Sequence, residues 1–134
     1  MRRRQAHGRG ERGSVSAELV IATPLLLVLV LLVVQFALWE HAEHVAQAVA
    51  QQGLAAGRVQ GGSDEAAREE AHSLLVHLGP SVLVDPSVSA DRTPSTTTVV
   101  VTGSTEGVLP FLHLPVRTTA TGPTERWITG GGGP

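Results

Sequence analysis

The chain contains no cysteine, lysine, asparagine or tyrosine. Without cysteine there are no disulfides and no thiolate metal sites, which is compatible with any compartment. Without asparagine there is no acceptor for N-linked glycans. Aromatics are nearly as scarce. Phe36, Trp39, Phe111 and Trp127 are the only ones in 134 residues, so any soluble core is small and modestly stable. The net charge of -2 makes no case for a nucleic-acid partner. A chain of this length holds one domain at most.

What is present is hydrocarbon. Leu19 to Trp39 gives 21 residues without a charged side chain, about 31 Å as a helix and enough to cross a bilayer. Nothing else in the chain is large enough to bury such a helix on all sides. Pro24 and Gln35 are its irregular members. Pro24 is expected in the first turns, where loss of one backbone hydrogen bond does least damage. Trp39 closes the run at a position suited to the interfacial belt.

Direction follows from charge placement. Arg2, Arg3, Arg4, Arg9 and Arg12 precede the run against one acid, Glu11, and Arg58 is the only Arg or Lys in the two dozen residues after it. The positive-inside rule keeps the N-terminus cytoplasmic and sends residues 40–134 outside. A secretory signal peptide is the competing reading. Its apolar region runs roughly 7–15 residues with a small-x-small site directly behind it. Here the run is longer, and the nearest such pattern, "AQAVA" at 46–50, follows two glutamates and two histidines.

Glu18 stands at the leading edge of the apolar run. One reading makes it a helix-start acid at headgroup level, complementing the helix dipole. Another starts from a cut after Gly13. Ser14 then carries a new α-amino group, cationic near neutral pH, one helical turn from the Glu18 carboxylate. In an assembly, the amine of one subunit can pair with the glutamate of its neighbour and fix their axial register.

The stretch "GSVSAELVIATPLLLVL" resembles the processing site and membrane helix of type IV prepilin-like proteins. More narrowly, it resembles the TadE-like minor pseudopilins of tight-adherence (Flp) pilus systems. That resemblance implies cleavage after a glycine, a glutamate four residues beyond the new N-terminus, and often a proline about six residues later. Gly13, Glu18 and Pro24 occupy those places, and the specific part of the likeness covers about thirty residues. The C-terminal "VVVTGSTEGVLPFLHLPVRTTATGPTER" resembles the ends of such proteins less diagnostically. Leu19 departs from the major pilins, which carry an aromatic after the glutamate and are shorter, so the likeness favours a minor role. The partners it implies are a prepilin peptidase, other pilin and pseudopilin subunits, and the inner-membrane assembly machinery.

Beyond the membrane the helix is expected to continue to about residue 57. Leu38, Ala42, Val45 and Val49 make one narrow apolar stripe, with Ala46, Ala48 and Ala50 keeping the rest slim. That stripe suits either a neighbouring helix or the chain's own C-terminal domain. "RVQGG" breaks the helix, and a second follows over 64–78. Ser63 or Asp64 caps it, Gly79-Pro80 ends it, and Ala67, Ala71, Leu74, Leu75 and Leu78 form its buried face.

After Pro80 the segments "SVLVDPSVSA", "STTTVVVTG" and "LPVRTTATG" read as strands separated by Gly, Pro, Asp and Ser. In the last, Val116, Thr118 and Ala120 face one side, and Arg117, Thr119 and Thr121 face water. The expected fold is α+β: a long N-terminal membrane-spanning helix continuing outside, and a second short helix packed on a small antiparallel β-sheet. Its parts are a basic leader (1–13), the membrane helix with its extension (14–57), an extracytoplasmic head (58–129) and a flexible tail (130–134).

Enzymatic chemistry is not expected. "EHAEH" puts Glu40 and His44 at i, i+4 and His41 and His44 at i, i+3, but it lacks the zincin order and a third ligand. It reads as a polar collar where a helix leaves the membrane, so no metal or other cofactor is expected. His72 and His77 read as solvated surface and His113 as a loop residue. No serine sits in a G-x-S-x-G elbow, and no glycine-rich stretch has a phosphate loop's Lys-Ser/Thr.

The reading is a minor pilin-like subunit, inserted with its N-terminus inside, cut between Gly13 and Ser14, and built into or priming a surface pilus. The alternative is an uncleaved single-pass anchor presenting an extracytoplasmic binding domain. A third is a soluble protein freed by signal peptidase.

Overall fold

In the computed structural model, residues 10–78 and 81–126 are described. They form α1 (Gly10–Arg58), α2 (Asp64–Leu78), β1 (Leu83–Arg92), β2 (Thr96–Thr105) and β3 (Pro115–Pro123). The expected fold class is the one observed. The leader residues Arg2, Arg3, Arg4 and Arg9, the Gly79-Pro80 stop, Trp127 and the 130–134 tail lie outside the described residues. The chain divides into two compact units, Met1–Val34 and Gln35–Pro134.

In the first unit α1 carries no charged side chain from Leu19 to Val34. Every side chain from Val15 to Val34 is exposed except Leu31, which is half-buried. A helix with no polar face and no protein around it is matched by lipid rather than water. By length and composition it can cross a membrane, and it is the one such helix among the described residues. It is already helical at Gly10, the first described residue. Pro24 therefore stands about four turns inside the helix, not in the first turns as the sequence suggested. The helix continues through it.

In the second unit three antiparallel strands lie in the order β1-β2-β3. The central strand alternates, with Thr97, Val99, Val101 and Thr105 buried. Val116 and Ala120 of β3 and Leu83 of β1 complete the inward face. In β3, Arg117, Thr119 and Thr121 are exposed as expected. The pairing of β1 with β2 slips between Val84 and Ser87. Asp85 there takes φ 48°, a left-handed conformation that aspartate tolerates better than most residues. The Asp-Pro pair thus makes a bulge inside the strand rather than ending it.

Both helices pack on the inward face. α2 lies along β1 and reaches β2. The Glu43 carboxylate of α1 accepts from the Thr118 hydroxyl of β3 at 3.2 Å, and Gly53 and Gly57 face Val99 and Thr97 of β2, so this part of α1 stands over β2 and β3. The α1 stripe packs on the chain's own sheet, the second of the two expected possibilities. Its composition is different, however. The buried positions are Ala42, Ala46, Val49, Ala50, Gly53, Leu54 and Gly57, while Leu38 is exposed and Val45 only partly buried.

The reason is distance. A Cβ on Gly57 would lie 2.7 Å from the Ala67 Cβ and 3.2 Å from Thr97 Cγ2, well inside carbon–carbon contact. Small residues let α1 reach α2 and the sheet together, so the stripe follows alanine and glycine rather than leucine. On α2 the buried row is Ala67, Ala71 and Leu75. Leu74 is partly buried and Leu78 is exposed, because the 74/78 row lies on the flank of that stripe.

The start of α2 and the end of α1 are satisfied. Ser63 Oγ accepts from the Ala66 N–H at 3.0 Å, which decides between the two caps proposed for α2. At the end of α1, Arg92 donates from Nε to Gly57 O at 2.8 Å and from its terminal nitrogen to Val59 O at 3.2 Å. The Glu125 N–H donates to Arg58 O at 2.8 Å. These bonds occupy carbonyls that a helix end leaves without intrahelical partners.

Candidate functional site

Two stretches of α1 carry features its helical role does not require. The first is the Gly13–Pro24 boundary. Gly13 lies inside the helix, not at its end, and a Cβ there would meet nothing within 4 Å. Glycine in a helix interior costs about 1 kcal/mol relative to alanine, and here no close approach offsets it. Ser14 belongs to the same helix, four residues before Glu18, a spacing that puts them on one face. The Glu18 side chain is exposed in the apolar unit.

The second stretch is Gln35–Trp39, which opens the other unit. Gln35 is 1% exposed, though it interrupts an apolar run. Its Oε1 accepts from the Val108 N–H at 2.9 Å. A Cβ on Gly107 would lie 2.9 Å from that same Oε1, so the loop comes this close because residue 107 has no side chain. The Gln35 Nε2 and the Thr105 hydroxyl are buried without a partner among the described residues. One turn on, Trp39 donates its indole N–H to Pro115 O at 3.2 Å. Its ring lies 5.7 Å from that of Phe36, tilted by 45°. Trp39, expected only as an interfacial residue, thus also ties α1 to the start of β3.

The bonds to Val108 and Pro115 link α1 to residues more than seventy positions away in sequence. Sequence reasoning passed over Gln35, Gly107 and Val108 as a site. The available signal was a lone amide in hydrocarbon, which requires a partner.

The polar collar contributes one exposed pair, Glu40 Oε1 with His44 Nε2 at 3.4 Å. Glu43 turns toward the sheet instead. His72, His77 and His113 are exposed, and the His77 Nδ1 lies 2.7 Å from Ser73 O. Among the described residues no group of three or more histidines or acids converges.

The boundary at Gly13 also marks where a known family begins. Residues 13–55 match the family model described as TadE-like protein. The match opens on Gly13 and closes in the last turns of α1, so it covers both stretches of the helix and stops before α2 and the sheet. It agrees with the TadE-like resemblance read from the sequence and suggests a protein associated with the Tad pilus. No curated protein and no solved structure matches the chain. The apolar helix near the N-terminus fits a single-pass membrane protein.

Proposed function

We propose that this chain is a minor pilin-like subunit of a tight-adherence pilus assembly system, matured by a prepilin peptidase between Gly13 and Ser14. The observation that carries the reading is Gly13 itself. It is a helix-interior glycine with no steric neighbour, at the first residue of the TadE-like match. A residue that the fold does not need at that place is accounted for by an enzyme that recognises it.

Span length gives Glu18 its role. Gln35 and Trp39 are held by the α+β unit, so the hydrocarbon is crossed by the residues before them. Counting back about 30 Å from Val34 at 1.5 Å per residue reaches Val15. Glu18 then lies about one turn inside the membrane. A charged side chain at the bilayer centre costs roughly 2.5–3.5 kcal/mol on insertion scales, and proportionately less near the edge. The amine freed at Ser14 of a neighbouring subunit removes that penalty by pairing and sets subunit register.

The chain is on this reading a substrate and a structural part, not an enzyme. Its N-terminus is cytoplasmic and its α+β unit extracytoplasmic. Its partners are the peptidase, other pilin and pseudopilin subunits, and the inner-membrane assembly machinery.

Gly13→Leu tests the proposal. Expressed with the peptidase, the variant should stay at full length while the parent chain loses its leader. If the parent chain also keeps its leader, the chain is the uncleaved single-pass anchor, presenting its outer unit as a binding domain; if Gly13→Leu is cut as the parent is, the peptidase does not read Gly13.

A further inference from the structure

The β2–β3 connection is long and apolar for its job. Hairpin loops usually take about 2–5 residues and are polar. This one runs over residues 106–114, "EGVLPFLHL". It is nevertheless a built loop. The Thr105 N–H donates to Leu114 O at 3.0 Å and closes its neck, and the Leu112 N–H donates to Leu109 O at 3.0 Å and makes its tip a turn. Its near side is fastened to Gln35 through Val108. The turn holds Phe111 outward at 79% exposure, with Val108 at 47%. Neither contributes to the core, which is made of alanine, valine and leucine.

The position of this loop says what covers it. It is bonded to the first residue after the apolar Val15–Val34 stretch. From Gln35 to Trp39 the helix rises about 6 Å, comparable with the roughly 5–8 Å of interfacial layer outside the hydrocarbon. Phe36 and Trp39 lie in the turn where α1 leaves its apolar run, and Phe111, the remaining aromatic among the described residues, follows by three residues the Val108 that is bonded to Gln35. Aromatic side chains favour that layer. A protein surface at this level meets lipid before it meets any other partner.

We infer that the loop of residues 106–114 is a second membrane contact, with its Val108–Phe111 tip inserted into the interfacial layer of the bilayer that α1 crosses. The inference rests on reading α1 as a membrane span and does not depend on cleavage at Gly13. The contact seats the loop on the membrane surface. Gln35 then fastens the loop to α1, and Gly107 is the residue whose missing side chain lets the loop approach Gln35.

The absence of cysteine makes the test direct. Single variants Phe111→Cys, Val28→Cys and Gln60→Cys of the full chain are labelled with an environment-sensitive fluorophore. They are reconstituted into phosphatidylcholine–phosphatidylglycerol vesicles with and without nitroxide-bearing lipid. Position 28 reports the span, and position 60, exposed in the turn after α1, reports water.

The expected result is nitroxide quenching at 111 approaching that at 28 and several-fold above that at 60. Quenching at 28 with a water-like signal at 111 overturns the loop contact and leaves the span intact. A water-like signal at both overturns both. An apolar signal at 111 that nitroxide lipid fails to quench means that protein covers the loop, and this also refutes the inference.

Discussion

Replacing Arg92 by alanine should loosen the α+β unit by an amount that its hydrogen bonds allow us to work out. The guanidinium bridges β1 to the end of α1 through Gly57 O at 2.8 Å, in a partly buried setting, and Val59 O at 3.2 Å, in an exposed one. A hydrogen bond to a charged group contributes about 1.5–3 kcal/mol when shielded and less in water. A cation at a helix C-terminus adds about 0.3–1 kcal/mol. Discounting the exposed bond and allowing water to reach the freed carbonyls leaves a loss of about 2 kcal/mol.

For a domain of 60–100 residues that loss lowers the midpoint by roughly 10 °C. Trp39, bonded to Pro115 across the unit, provides a fluorescence readout for thermal unfolding of the full chain in micelles. Arg92→Lys separates charge from geometry, because lysine keeps the charge and loses the planar fork. It should fall between the parent and Arg92→Ala. The reasoning is refuted if Arg92→Ala melts with the parent, or if Arg92→Lys is indistinguishable from it.

Three further outcomes are expected. Gly57→Ala gains about 1 kcal/mol of helix propensity but forces a Cβ to 2.7 Å from that of Ala67. Overpacking costs about 1–3 kcal/mol, so denaturant titration should show net destabilisation, while Gly13→Ala, with open space around it, should show none. Ser63→Ala removes the acceptor for the Ala66 N–H and should cost about 1 kcal/mol, with Ser63→Asp recovering most of it in the same titration. Glu18→Val should be processed normally yet fail to co-purify with partner subunits from membranes; normal recovery of the complex would remove the charge-pairing role.

Much of this architecture was legible from local chemistry. Strand edges follow Gly, Pro, Asp and Ser, and the alternation of Val116, Arg117, Thr119 and Ala120 across β3 is readable from period two alone. The span is readable because a run of apolar side chains has only lipid to match it.

What was misread has a common cause. The α1 stripe was placed by its large aliphatics, Leu38 and Val45, whereas close packing selects Ala46, Ala50, Gly53 and Gly57 for what they lack. Small residues carry almost no periodic signal. Leu78 was placed inward by hydrophobicity, although its row lies on the flank of α2. Pro24 reads as a first-turn residue when the helix is taken to begin at the apolar run, but the chain is already helical at Gly10. The Gln35–Val108 bond was out of reach for another reason: it joins positions 73 residues apart, and no local pattern pairs a lone amide with a distant backbone N–H.

The proposed cleavage boundary rests on a sequence pattern, Gly13, Ser14, Glu18 and Pro24, and the family match begins at that same glycine. The structure adds the physical point that nothing in the fold requires glycine there.

The central claim is that this chain is matured between Gly13 and Ser14. Intact mass and N-terminal sequencing of the protein from a native membrane fraction test it most directly. The account predicts a chain that starts at Ser14, with or without a methyl group on its amine. A chain that still carries Arg2 to Gly13 would contradict it and leave a permanent membrane anchor in its place.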